Sequence, residues 1–158
     1  MIVISDTSVI TNLIQLDSLS LLNQLFGRIV IPQKVFGELA KVPGQVEIIE
    51  QTDWIEINPI SDQKLFDRIE KNVDPGEAEA IVLAIEMNAD ALLIDEKKGR
   101  KIAQEYGITI TGLLGILVDA KQENLIQGVK PILDRLIFEI GFRVSPKLYR
   151  EILEKVNE

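Results

Sequence analysis

Apolar residues recur along this chain in two rhythms. Short unbroken β-prone runs read as buried strands: MIVIS at the start, RIVIP at 28–32, ALLI at 91–94 and ITIT at 108–111. WIEINPI, at 54–60, alternates instead and predicts a further short strand. Between the strands the apolar residues fall at helical spacing. Val9, Leu13, Leu16 and Leu19 predict a first helix, capped by Thr7 or Ser8. A second, capped by Asp17, runs through Leu21, Leu22 and Leu25 to Gly27. Val35, Phe36 and Leu39 predict a third, from Gln33, and KVPGQ reads as the break after it. SDQKLFDRIEKN is a charged amphipathic helix begun by Ser61. DPGEAEAIVLAIEMN is the most helical segment, with Asp74 as N-cap and Pro75 at the first helical position. Helices follow at 97–107, 113–126, 129–141 and, after Ser145 as cap, in the tail.

Strands that alternate with helices predict an α/β fold, a three-layer α/β/α sandwich around a central, mostly parallel sheet. The expected organisation is one domain, 1–158. Its sheet-containing core spans about 1–125, and 126–158 form C-terminal helices that serve as a lid or an oligomer surface.

Composition narrows the chemistry. The 158 residues include no Cys and no His, which excludes disulfides, thiolate metal sites and imidazole bases. Any metal must be held by oxygen, which favours Mg²⁺ or Mn²⁺. The net charge of −8 argues against broad, sequence-independent nucleic-acid binding but not against carboxylates gathered around a cation. No apolar run approaches the ~20 residues of a membrane helix, and the N-terminus lacks a basic lead-in, so a cytoplasmic protein without membrane contact is expected.

Ligands collect at the carboxyl ends of strands in parallel sheets. Asp6 ends MIVIS, Asp95 ends ALLI, and Glu96 follows it. Glu38 lies about two helical turns after RIVIP, and Glu77 and Glu79 open the helix before ALLID. Each has a plain structural reading as well. Asp6 is a credible helix cap, Glu38 a solvated helix residue, and Glu77 and Glu79 complement a helix dipole. Their joint placement favours the cation: two divalent ions about 4 Å apart assist phosphodiester hydrolysis without His or Cys. A haloacid-dehalogenase-like phosphotransferase would need a second Asp two residues after Asp6, where Ser8 stands.

ISDTSVI, IPQKVFGEL, DPGEAEAIVLA, LLIDEKKGRKIA, GITITGLLGIL and GFRVSPKLYREIL, in that order, give the chain a resemblance to PIN-domain proteins. It resembles most the small prokaryotic PIN-like toxin ribonucleases of type II toxin–antitoxin pairs. The resemblance implies a Mg²⁺- or Mn²⁺-dependent endoribonuclease. Asp6, Glu38, Glu77 and Asp95 match the acidic positions, with Glu79 a second candidate beside Glu77 and Glu96 a further ligand. Many toxins carry Thr or Ser where Asp95 stands. Thr7 and Ser8 match small polar residues that support the first Asp; apart from the resemblance, the placement of Lys97, Lys98 and Arg100 beside the site makes them candidates for electrostatic contact with an RNA backbone. The implied partners are an RNA substrate, a small antitoxin and a second copy, with Leu113–Val118 and Ile132–Ile140 as candidates for the dimer surface, although core burial explains them at least as well. A catalytically degenerate, protein-binding PIN-like module is the alternative.

Overall fold

The centre of the sheet is the first strand. In the computed structural model, which describes residues 1–158, β1 (Val3–Ser5) lies between β2 (Ile29–Pro32) and β4 (Ala91–Leu93). The order is β3-β2-β1-β4-β5, with β3 at Ile55–Asn58 and β5 at Ile110–Thr111. Every pairing is parallel, and Ile4 is in register with Val30 on one side and Leu92 on the other. The chain builds outward through β2 and β3, then crosses back to place β4 against the other side of β1. That reversal opens a crevice at the carboxyl ends of β1 and β4, the usual ligand position in such sheets.

Strand pleating sends alternate side chains to opposite faces. Val3, Ile29, Ile31 and Leu93 face one apolar layer, and Ile4, Val30, Leu92 and Ile94 face the other. The first layer is covered by α1 (Thr7–Gln15), α2 (Ser20–Phe26), α3 (Gln33–Ala40), α8 (Leu113–Gln122), α9 (Lys130–Arg135) and α10 (Pro146–Lys155). The second is covered by α5 (Gln63–Ile69), α6 (Pro75–Glu86) and α7 (Lys97–Glu105). The expected α/β/α sandwich is present, and its sheet is wholly parallel.

Several local expectations are corrected. Asp6 itself caps α1, its Oδ1 accepting from Val9 N–H at 3.1 Å, where Thr7 or Ser8 was expected. Asp17 caps nothing; it takes a left-handed φ of 54° in the connector, and α2 starts without a side-chain cap. α5 is capped by Asp62 rather than Ser61. Beyond KVPGQ a short α4 (Gln45–Glu50) forms, anchored by buried Gln45, to which the Thr11 hydroxyl donates, and by Ile49. The helix expected over 129–141 changes to a π turn at Leu136–Ile140 and stops at left-handed Gly141. Leu133, Leu136, Ile152 and Leu153 share the apolar layer of Val3 and Leu93, with the π turn packed against α1 and α10 against α8, so the C-terminal helices are part of that core and do not stand off it as a lid. The same layer buries Leu113, Ile116, Leu117 and Val118 of the candidate dimer surface, while Leu114, Ile132, Ile137 and Ile140 stay partly accessible and Phe138 is 80% exposed. No helix is long and apolar enough to cross a membrane.

Candidate active site

Asp6 ends β1 at the crevice and is 1% exposed. Its backbone N–H continues the ladder to Leu93 O at 3.0 Å. Its carboxylate accepts from Val9 N–H and from the Ser8 hydroxyl at 3.2 Å. Burial pushes its pKa up to about 7, and the charges of Asp95 and Asp74 add to that, against the lowering by Val9 and Ser8.

Asp95 sits just beyond β4, the neighbouring strand. Its Oδ1 accepts from Leu113 N–H at 2.9 Å, at the start of α8. Its Oδ2 is buried with no partner. Burial raises its pKa, while the Leu113 N–H and the Arg100 charge oppose the rise.

The two glutamates at the start of α6 part company. Glu79 reaches across to α3, where its Oε1 accepts from Lys34 N–H at 2.8 Å. Glu77, about 200° around the helix, lies with Oε2 buried and unpartnered. Burial pushes it up to about 8, helped by Asp74, Asp6 and Glu96. A Cβ added at Gly99, on α7, would stand 2.9 Å from that oxygen, so the glycine leaves the carboxylate its room.

Glu38, on α3, is half-buried, and its Oε1 also lacks a partner. Burial raises its pKa, followed by the Asp74 charge. The Thr7 hydroxyl lies near enough to favour the ionised form but is not aligned for a hydrogen bond. Gly76 is the close neighbour: any Cβ there would overlap the Glu38 carboxylate. Asp6 and Asp95 thus interact at the ends of β1 and β4 and Glu77 interacts with Asp6, while Glu38 is joined to them only through Asp74, and Glu79 serves α3.

Sequence reasoning missed Asp74. It caps α6 through Glu77 N–H at 2.9 Å, as expected of an N-cap, but its charge also falls on Asp6, Glu38 and Glu77. The signal was there: Asp74 and Glu77 are three apart, one helical face. A cavity of about 380 Å³ opens here, lined by Lys71, Asn72, Val73, Asp74, Glu77, Glu96 and Lys98. Lys71 is a second residue not singled out from sequence. Lys97 is exposed at the first position of α7 without lining this cavity, and Arg100 lines a different one.

No three carboxylates stand close enough to enclose one ion in this arrangement. The donor set suits a hard divalent cation all the same. It is all oxygen, and Glu38 Oε1, Glu77 Oε2 and Asp95 Oδ2 are buried with nothing donating to them. Buried unpaired carboxylate oxygens cost free energy that protons or a cation would offset.

A family model described as a PIN domain matches residues 2–158, and the chain belongs to the PIN-domain family. PIN domains are in general nucleases that use divalent metals. No curated protein matches the chain.

Proposed function

We propose that the chain is a toxin-like endoribonuclease that depends on Mg²⁺ or Mn²⁺. The supporting observation is the set of unpartnered buried oxygens of Glu38, Glu77 and Asp95 beside Asp6. Asp6, Glu77 and Asp95 would hold the cation, with Glu96 at the cavity rim and Glu38 on the α3 side. A cation bound there would supply charge neutralisation and an activated water for hydrolysis of an RNA phosphodiester. The chain's own groups do the positioning. Val9 N–H and Ser8 hold Asp6, Leu113 N–H holds Asp95, and Asp74 fixes the first turn of α6 under Glu77. Lys71 and Lys98, on the walls of the acidic cavity, offer phosphate contacts that position the strand. Lys97, exposed beside Lys98, belongs to the same proposal.

The acidic cavity fits a basic side chain from a small antitoxin, which would inhibit by charge complementarity. A homodimer through the face carrying Phe138, and a cytoplasmic location, complete the reading. The test is cleavage of a fluorescent RNA. Activity should require Mg²⁺ or Mn²⁺, stop with EDTA and be lost in Asp6→Asn; cleavage that survives unchanged in that variant would overturn it. One observation favours a second reading, a catalytically degenerate protein-binding module: no three carboxylates enclose an ion. Calorimetric titration with Mn²⁺ separates the two. Binding heat that disappears in the Asp6→Asn, Asp95→Asn double variant supports the nuclease, and a wild-type protein that takes up no ion supports the module.

A further inference from the structure

Asp95 and Glu96 are adjacent in sequence but line different cavities. Beyond Asp95 lies the larger one, about 640 Å³, between β5, α8 and α10. That volume falls within the roughly 300–1,000 Å³ typical of small-ligand sites. Its cationic walls are Arg100, Arg143 and Lys155. None of the three forms an ion pair, in a chain with 25 acidic and 17 basic residues. Unpaired guanidinium groups beside a cavity suit phosphate oxygens, which they bind in a planar fork. The apolar side includes Phe142, half-buried, and Leu148. An aromatic face accepts any base by stacking. The backbone holds that face in place. Gly141, at a φ of +86°, ends the π turn, and Phe142 N–H returns to Leu136 O at 3.0 Å. Asp119 and Glu151, on the same walls, are acceptors available to an exocyclic amino group.

We propose that this cavity seats one nucleotide of a single-stranded RNA, next to the phosphate that would be cut at Asp95, with Phe142 under the base and Arg100 and Arg143 on its phosphate. The proposal rests on the ribonuclease reading and assigns work to GFRVSPKLYREIL, a segment the acidic site does not use.

The test measures binding apart from cleavage. Fluorescence anisotropy of a fluorescein-labelled single-stranded RNA octamer is recorded in EDTA, where no cleavage occurs. Arg143→Ala should weaken binding about 10-fold and Phe142→Leu about 5-fold, while Arg143→Lys keeps part of the affinity and Glu158→Gln, at the start of α9, binds within about twofold of wild type. Circular dichroism melts confirm that the variants fold. In parallel, a 4-thiouridine octamer is photocrosslinked to wild-type protein and should label the peptide carrying Phe142. Variants that bind like wild type, a label elsewhere, or no RNA binding at all overturns the proposal; a cavity that takes a protein segment instead would give the first two results. RNA binding sensitive to Arg143 in a protein that cleaves nothing removes the nuclease reading and keeps the nucleotide site. Cleavage with KM unchanged in Arg143→Ala removes the nucleotide site alone.

Discussion

Glu158, the last residue, spreads its two oxygens over Val129 N–H and Lys130 N–H at 2.7 and 3.0 Å. Burial is the largest single influence and raises its pKa, but those two bonds together with the Lys121 and Lys130 charges outweigh it and leave it lowered. Glu86 does the same for Ser61 and Asp62, and Glu79 for Lys34. At the carboxyl ends of β1 and β4 the pattern reverses. Glu38, Glu77 and Asp95 each keep a buried oxygen with no donor, and all three titrate above their ordinary range. The side chains are the same; the supply of N–H groups differs. Helix starts offer free N–H groups and draw carboxylates to them. Around Glu77 the nearest neighbours include a glycine and other acids. A buried polar atom left unmade costs on the order of 1–3 kcal/mol. Acidic residues are plentiful on this chain, so their number does not mark the site. Their lack of donors does.

The largest effect on the acidic region is expected from removing Asp6, which ends β1 and whose charge falls on Glu77. Asp6→Asn should lower RNA cleavage at least about 10³-fold, measured as single-turnover rate with Mn²⁺. Glu158→Gln should leave that rate alone and cost about 1 kcal/mol through a weakened start of α9, measured by denaturant unfolding. Equal losses of rate in the two variants would erase the distinction between the two regions.

The metal-free protein gives a second, thermodynamic version. In the unfolded chain Asp6 and Glu77 ionise near their ordinary values of 3.8 and 4.5; in the folded chain they ionise near 7 and 8. Between those limits the folded state binds more protons, so stability falls as pH rises from about 4 to 8. Asp6 alone accounts for at most about 4 kcal/mol of that fall. Melts in EDTA at pH 5 and pH 8 should show it, and Asp6→Asn should remove Asp6's share while Glu77's remains. Adding Mn²⁺ at pH 8 should restore stability, by about 2.7 kcal/mol at one hundred times its dissociation constant. A melting temperature in EDTA that does not move with pH would show that these carboxylates are already satisfied.

Most of the sheet was legible because its inner strands are unbroken apolar runs, and burial on both faces requires that. Asp6 and Asp95 followed from their places at strand ends. The local errors have local causes. The QVEIIE turn of α4 is six residues long, too short for a period to show. Asp17 stands where a cap would, but the chain turns left-handed there, and only coordinates give a φ. Glu77 and Glu79 could not be separated from sequence, because the choice depends on which one faces Lys34, forty-five residues away in the chain. Asp74 was overlooked because its role as a cap already explained it, and a residue can cap a helix and charge a site at once.

Two glycines sharpen the contrast with a smaller effect. Gly37 and Gly76 both lie in helices with ordinary backbone angles, so propensity alone favours alanine at each by about 0.5–1 kcal/mol. Open space surrounds Gly37, and Gly37→Ala should deliver that gain with cleavage unchanged. At Gly76 the new methyl meets the carboxylate of Glu38, the free end of a flexible side chain. Glu38 should swing away at little cost in stability. Cleavage should fall about 10-fold if Glu38 acts from that position. The readout is the pair of numbers, melting temperature and rate. A rate as unaffected in Gly76→Ala as in Gly37→Ala would take Glu38 out of the site.

The smallest effect is the most discriminating between neighbours. Glu79→Gln keeps an oxygen for Lys34 N–H and removes only the charge at the start of α3. The loss should be about 0.3–1 kcal/mol in stability, with cleavage within about twofold of wild type. Glu77→Gln removes a charge that nothing in the fold stabilises. It should raise metal-free stability at pH 8 and abolish Mn²⁺-dependent cleavage. The two substitutions are chemically identical and two residues apart on one helix, so opposite signs in stability can arise only from what each carboxylate faces. If Glu79→Gln is instead the variant that loses cleavage, the site lies on the α3 side of α6, and Glu38 rather than Glu77 is its partner.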